Sequence, residues 1–215
     1  MEAIEIGKYY FEIFLIHKMH NILSIDLGIK NLGYTVIGYS KMGPKKLEDL
    51  KILELDIFNI ESQFQKKVDI VNNRCNAICS FFTMLKDKYT KFDYVIIERQ
   101  VNRNTMAMEL MYACAMCCKT LLGVDFINFD PKDKFTKLGI EYSTANKQHK
   151  KQSINMAQTL IKQLWQDLEA KFNTHNKKDD MADALNQCLV WMLINNLLSY
   201  TIDEYCMLLF EHTQN

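Results

Sequence analysis

Four carboxylates stand where a folded chain seldom places them. Asp26 interrupts the apolar run Ile22-Leu23-Ser24-Ile25-Asp26-Leu27, and Glu98 ends the run Tyr94-Val95-Ile96-Ile97-Glu98. Asp180 and Asp183 lie three residues apart in Asp179-Asp180-Met181-Ala182-Asp183-Ala184-Leu185. A strand that carries a charge into a core does so at a cost unless something pairs with it. Three elements that each deliver an acid to one point would supply the hard oxygen donors that suit Mg2+ or Mn2+. Two such ions about 4 Å apart stabilise the attacking and leaving oxygens of an in-line phosphoryl displacement. Without cations the crowded carboxylates would repel, and some would keep their protons.

Each acid also has a plainer reading. Asp26 could bond the backbone amides of its own turn, and Glu98 could pair with Arg99 or a lysine. Asp179 or Asp180 could be an ordinary cap at a helix start, where the dipole favours negative charge. Their joint placement favours a shared site. A mid-strand acid, an acid ending a neighbouring strand and an i, i+3 pair on one helix face could meet at one edge of a sheet.

The elements that must position them follow from periodicity. Strands are predicted at about 22–27 and 32–39, with Gly28 and Gly33 bracketing the reversal, a turn at 41–46, and a third antiparallel strand at 50–58. Val68, Val71, Cys75, Ile78, Phe82, Leu85 and Tyr89 recur in steps of three and four, the apolar face of a long helix. A strand at 93–98 and a polar loop at 99–104 come next. Residues 105–122 are then apolar nearly all round, so this helix is buried centrally or by a partner subunit. Gly123 stops it before a fifth strand at 124–129. Pro131 starts a turn or short helix, and 139–146 reads as a loop. Ile154, Ala157, Ile161, Leu164 and Leu168 mark another helix, and 173–178 breaks the pattern. A strong helix at 179–198 turns Met181, Ala184, Leu185, Cys188, Leu189 and Met192 inward, and a short one follows Thr201. The fold class is α/β: a central mixed five-stranded sheet, three antiparallel strands and then parallel ones, flanked by helices.

At 215 residues a single domain is expected, with 1–20 as an N-terminal extension and about 201–215 as a C-terminal helix or tail. Composition excludes a disordered chain, being 48% hydrophobic with only two prolines. No uninterrupted apolar stretch approaches a membrane span, so no membrane partner is expected. The short apolar segment 9–16 contains Glu12 and lacks a cleavage signature, and so reads as a packed extension rather than a signal peptide. Seven cysteines, an odd number in Met-rich surroundings, favour reduced thiols in an intracellular protein. Cys114 and Cys117 have C-x-x-C spacing but no second pair at zinc spacing, and His17 with His20 is weak for the same reason. Net charge is zero, yet 132–151 holds six lysines against Asp133 and Glu141. Such a basic lobe beside an acidic cluster suits a protein that holds phosphates near cations.

On Ile25-Asp26-Leu27-Gly28 with Asn31-Leu32-Gly33-Tyr34, on Ile97-Glu98-Arg99-Gln100, and on Asp180-Met181-Ala182-Asp183-Ala184-Leu185, the chain resembles the RuvC-type Holliday junction resolvases of the RNase H-like superfamily, most of all the poxvirus-type resolvases. The resemblance spans roughly residues 20–198. It implies an RNase H-like fold and a homodimer bound to a four-way DNA junction, each subunit nicking one of two symmetry-related strands and leaving ligatable 5′-phosphate ends. It implies Mg2+ or Mn2+, two per site, held by Asp26, Glu98, Asp180 and Asp183. The family's active-site lysine matches Lys151 best, in Lys151-Gln152-Ser153-Ile154, with Lys150 and Lys147 as alternatives. Lys30, Arg99, Arg103, Lys132, Lys134, Lys147 and Lys150 are expected at the DNA. The setting is a reducing cell interior and, if the protein is viral, the host-cell cytoplasm. Two active sites held across a two-fold axis need an isologous interface. The apolar helix 105–122, or the helix starting near Ser62, is expected to build it, so glutamates at Met108 and Met111 should give monomers.

Rival readings keep part of this. The same acids would serve a nuclease acting on RNA–DNA hybrids or other branches, because cations act on the phosphate whatever the strand. An actin-like or sugar-kinase domain also opens with Asp-x-Gly but needs glycine-rich phosphate loops that are missing here. A junction-binding module without catalysis would have no need of Glu98 and Asp183 as well as Asp26.

Overall fold

A computed structural model describes residues 19–40, 43, 45–63, 70–100, 104–142 and 146–210. The proposed N-terminal extension therefore lies almost wholly outside the described residues, as do Val68 of the predicted helix face and part of the 41–46 turn. Five strands, β1 (Met19–Leu27), β2 (Asn31–Ser40), β3 (Lys51–Asn59), β4 (Tyr94–Glu98) and β5 (Phe126–Phe129), form one sheet in the order β3-β2-β1-β4-β5. The first three are antiparallel, and β4 and β5 add in parallel. β1 is central. Ile22, Leu23 and Ile25 are fully buried because both sheet faces are covered, which is why its sequence reads as a continuous apolar run.

Alternation sorts the side chains into two cores. Leu23, Ile25, Val95 and Ile97 face α1 (Ile70–Lys88) and α2 (Thr105–Cys117, continued by a π-helical turn Cys118–Leu122). Ile22 and Ile96 face the opposite layer. There stand α3 (Asp133–Thr136), α4 (Asn146–Leu164), α5 (Glu169–Thr174), α6 (Lys178–Ile194) and α7 (Ile202–Phe210). α4 ends earlier than the apolar spacing predicts, because Trp165 starts a 3-10 turn, Gln166–Leu168. α6 stops at Ile194 rather than 198, with Asn196 in the left-handed region.

α2 is not buried all round. Ala107, Leu110, Met111 and Cys114 pack inward, while Tyr112 and Met116 are 59% and 64% exposed. The expectation for Met108 and Met111 needs correction: Met111 is core and Met108 is half-buried against it, so glutamates there would break the fold rather than a dimer. By length and composition alone, Thr105–Leu122 could cross a bilayer. It carries Glu109 and Lys119, and its inward side packs on α1.

All seven cysteines are free thiols. Cys114, Cys117 and Cys118 are buried, and burial pushes the Cys117 and Cys118 thiols up to about 12, which makes them poor nucleophiles. His20 bonds Asp93 at 2.6 Å rather than standing ready as a ligand, and His17 lies outside the described residues.

Candidate active site

Strand parity carries two of the acids to one place. β1 and β4 run parallel with Ser24 beside Ile96 and Ile25 beside Ile97, so Asp26 and Glu98 follow as neighbours at the carboxyl ends of the two central strands. Both take the parity of Ile96, whose face is covered by α6. α6 then brings the other two acids. Gln187 is fully buried and its Nε2 donates to Ser24 Oγ (3.0 Å), Ile25 O (3.2 Å) and Ile96 O (3.5 Å), tying the helix to both strands just before their acids. One turn towards the helix start from Gln187 lies Asp183, and Asp180 stands three residues before that.

Asp183 is held by two donors. Lys134 Nζ donates to its Oδ1 at 2.8 Å, and Ser153 Oγ donates to the same oxygen at 2.7 Å. Asn186 Nδ2 in turn donates to Ser153 Oγ (2.9 Å) and Ser153 O (2.8 Å), which fixes the hydroxyl. Lys134 Nζ also bonds Glu98 Oε2 at 3.1 Å. Burial, followed by the charges of Glu98 and Asp183, raises the Asp26 carboxyl well above the usual range, against the pull of Lys134. Asp180 is raised by burial and by Asp179. Burial raises the Asp179 carboxyl, but the bond from Lys150 at 2.5 Å, the Lys150 charge, a backbone bond and the Lys177 charge together lower it. Neither Asp179 nor Asp180 caps α6: the N-cap is Lys177, without a side-chain cap bond.

The structure thus brings Asp26, Glu98, Asp180 and Asp183 to one end of the sheet. Of the lysine candidates, Lys150 pairs with Asp179, the neighbour of Asp180, whereas Lys151 is exposed. Lys147 lies in α4 with its side chain outside what is described, and Arg103 lies outside the described residues. Lys134, expected at DNA, is only 3% exposed and is spent on Glu98 and Asp183. Arg99 is ion-paired with Asp130. Lys30 and Lys132 are exposed, Lys30 3.4 Å from Glu61. Lys30 and Lys177 flank a cleft of about 350 Å3 that Asp180 also lines, with Gly28, Gln100 and Asn104.

Sequence reasoning missed Ser153, Asn186, Gln187 and Lys177. The signal for two of them was present, since Asn186 and Gln187 interrupt the apolar run of α6 three and four residues after Asp183.

The donor chemistry fits a divalent cation, since hard carboxylate oxygens suit Mg2+ or Mn2+. Among the described residues, however, no group of three or more acid, His or Cys side chains is gathered as a metal would require. The cation that sits among the acids is the Lys134 ammonium.

Sheet order, helix layers and the placement of the acids define an RNase H-like fold of the RuvC type. The crystal structure of Fowlpox virus resolvase with substrate Holliday junction DNA matches with a TM-score of 0.58 and 21% identity, covering 80% of this chain and 96% of that one. Thermus thermophilus RuvC matches at 0.56 and 13%, covering 82% and 97%. The yeast mitochondrial Holliday junction resolvase Ydc2 matches at 0.52 and 19%, covering 90% and 83%. No curated protein matches the chain in sequence. A family model described as Poxvirus A22 protein matches residues 20–196, and the chain belongs to that family.

Proposed function

We propose that the protein is a metal-dependent endodeoxyribonuclease that resolves four-way DNA junctions by paired symmetric nicks. The meeting of Asp26, Glu98, Asp180 and Asp183 at one sheet end, in a chain of this family, carries the reading. Relatives of the same fold from Fowlpox virus and Thermus thermophilus are described in complex with Holliday junction DNA. The four acids would hold Mg2+ or Mn2+, which when bound activates water and neutralises charge on the phosphate. Ser153 and Asn186 orient Asp183, and Gln187 keeps α6 in step with β1 and β4. Lys150, ion-paired with Asp179 beside Asp180, would be the lysine that meets a phosphate. Lys30 and Lys177 would hold the strand along the cleft that reaches Asp180. The free thiols suit a reducing interior, which for a poxvirus-family protein is the host-cell cytoplasm.

The test is cleavage of an end-labelled, immobile four-way junction with Mg2+ or Mn2+, beside a linear duplex and an RNA–DNA hybrid. Paired nicks in the junction alone are expected. Cutting of the hybrid would change the substrate, and tight junction binding without nicking would leave only a binding module.

The same reading requires a homodimer, and the exposed side of α2 offers its apolar surface: Met106, Tyr112 and Met116. A Tyr112→Glu, Met116→Glu double variant should run as a monomer in light scattering with its melting temperature nearly unchanged. A dimer of unchanged mass would reject α2 as the interface.

A further inference from the structure

We propose that the Lys134 ammonium is a resident counter-ion of the acid cluster, and that a divalent cation enters by displacing it. The inference rests on the metal-site reading above. Lysine is almost never fully buried unless it is paired, and here both pairing partners are proposed metal ligands. Lys134 reaches them from α3, which β5 delivers to the same sheet end and which Phe135 anchors in the core at 1% exposure.

The oxygens it uses decide the matter. Glu98 Oε2 accepts from Nζ at 3.1 Å and Asp183 Oδ1 at 2.8 Å, while Asp183 Oδ1 also accepts from Ser153 Oγ. A cation needs lone pairs on these carboxylates, and an ammonium left within about 4 Å of it would repel it strongly in a site of low dielectric. The two cations therefore compete for this site, the ammonium holding Glu98 Oε2 and Asp183 Oδ1. Lysine suits the exchange, since its charge is a point at the end of a flexible four-carbon stem. In the metal-free protein it neutralises acids that would otherwise push α6 away from β1 and β4.

The experiment is calorimetric titration of Mn2+ into the wild type and Lys134→Met, with Asp26→Asn as the control for the site, beside melting curves in chelator. Lys134→Met should bind Mn2+ about ten-fold tighter or more. It should melt lower in chelator and regain stability with Mn2+. Binding equal to or weaker than that of the wild type would overturn displacement.

Should the variant fail to fold, the wild type alone decides. Acetylation of Lys134 by an amine-reactive ester, read by mass spectrometry, should be slow in chelator and at least about ten-fold faster at saturating Mn2+. A wild type that binds Mn2+ while Lys134 stays protected overturns displacement alone. Absence of Mn2+ binding in every protein sinks the metal-site reading, and displacement with it.

Discussion

Asp26→Asn should abolish junction nicking, by at least about 10³-fold, the scale on which loss of a group that stabilises reacting charge is felt. The same variant should melt higher than the wild type in chelator at neutral pH. Burial raises the Asp26 carboxyl first, then Glu98, Asp183 and Asp180, with Lys134 opposing them. The folded protein therefore holds this proton to a higher pH than the unfolded chain, where aspartate titrates near about 3.9. The stability that this proton represents is fully present below about pH 4 and is lost as pH rises through the folded value. Asparagine mimics the protonated carboxyl and never ionises. The two melting curves should coincide near about pH 4 and separate as pH rises, with the variant above. Mg2+ or Mn2+ should invert the order, since only the wild type keeps a full set of ligands. A variant that melts below the wild type at neutral pH in chelator would identify Asp26 as a structural acid.

The three-stranded meander, the strand ending on Glu98 and the helix opening on Asp180 were legible because of where they lie. Central strands buried on both faces leave unbroken apolar runs, against which one Asp is conspicuous. The lysines were not legible. In a run of six, nothing local separates Lys134 from its neighbours, and its burial depends on how α3 and the turn after it lodge Phe135 and Leu138 in the core. Lys150 and Lys151 differ only by the rotation of α4, set by Met156, Ala157 and Leu160 in the core. α2 shows the opposite failure. Its apolar composition conceals which side packs, and only the contact with α1 assigns Met111 to the core and Met116 to the surface.

Gly33 was legible as a necessary glycine and misleading about why. Gly28 does belong to the reversal, its N–H donating to Asn31 O at 3.0 Å. Gly33 lies inside β2, paired with Asp26 on one side and Ile57 on the other, and its backbone is ordinary strand. The constraint is space. A Cβ there would lie 2.2 Å from the Asp180 carbonyl oxygen and 2.5 Å from its carbon. Those atoms are helix backbone, so no side-chain rotation relieves the clash and α6 or β2 must retreat. Overpacking of this kind costs about 1–3 kcal/mol. In a chain of this size that lowers the melting temperature by several degrees. Activity should suffer more, because any retreat separates Asp180 and Asp183 from Asp26 and Glu98. A misplacement of about 1 Å costs about 10²-fold in rate, and Gly33→Ala should lose at least that much nicking. Gly38→Ala is the matched control in the same strand. Its Cβ would meet side-chain ends, Met19 Cε at 2.5 Å and Leu53 Cδ1 at 3.1 Å, which can move aside. If both variants melt a few degrees low but only Gly33→Ala stops nicking, the close approach of α6 to β2 sets the geometry of the site. Nicking by Gly33→Ala at the wild-type rate would show that the acids tolerate the shift.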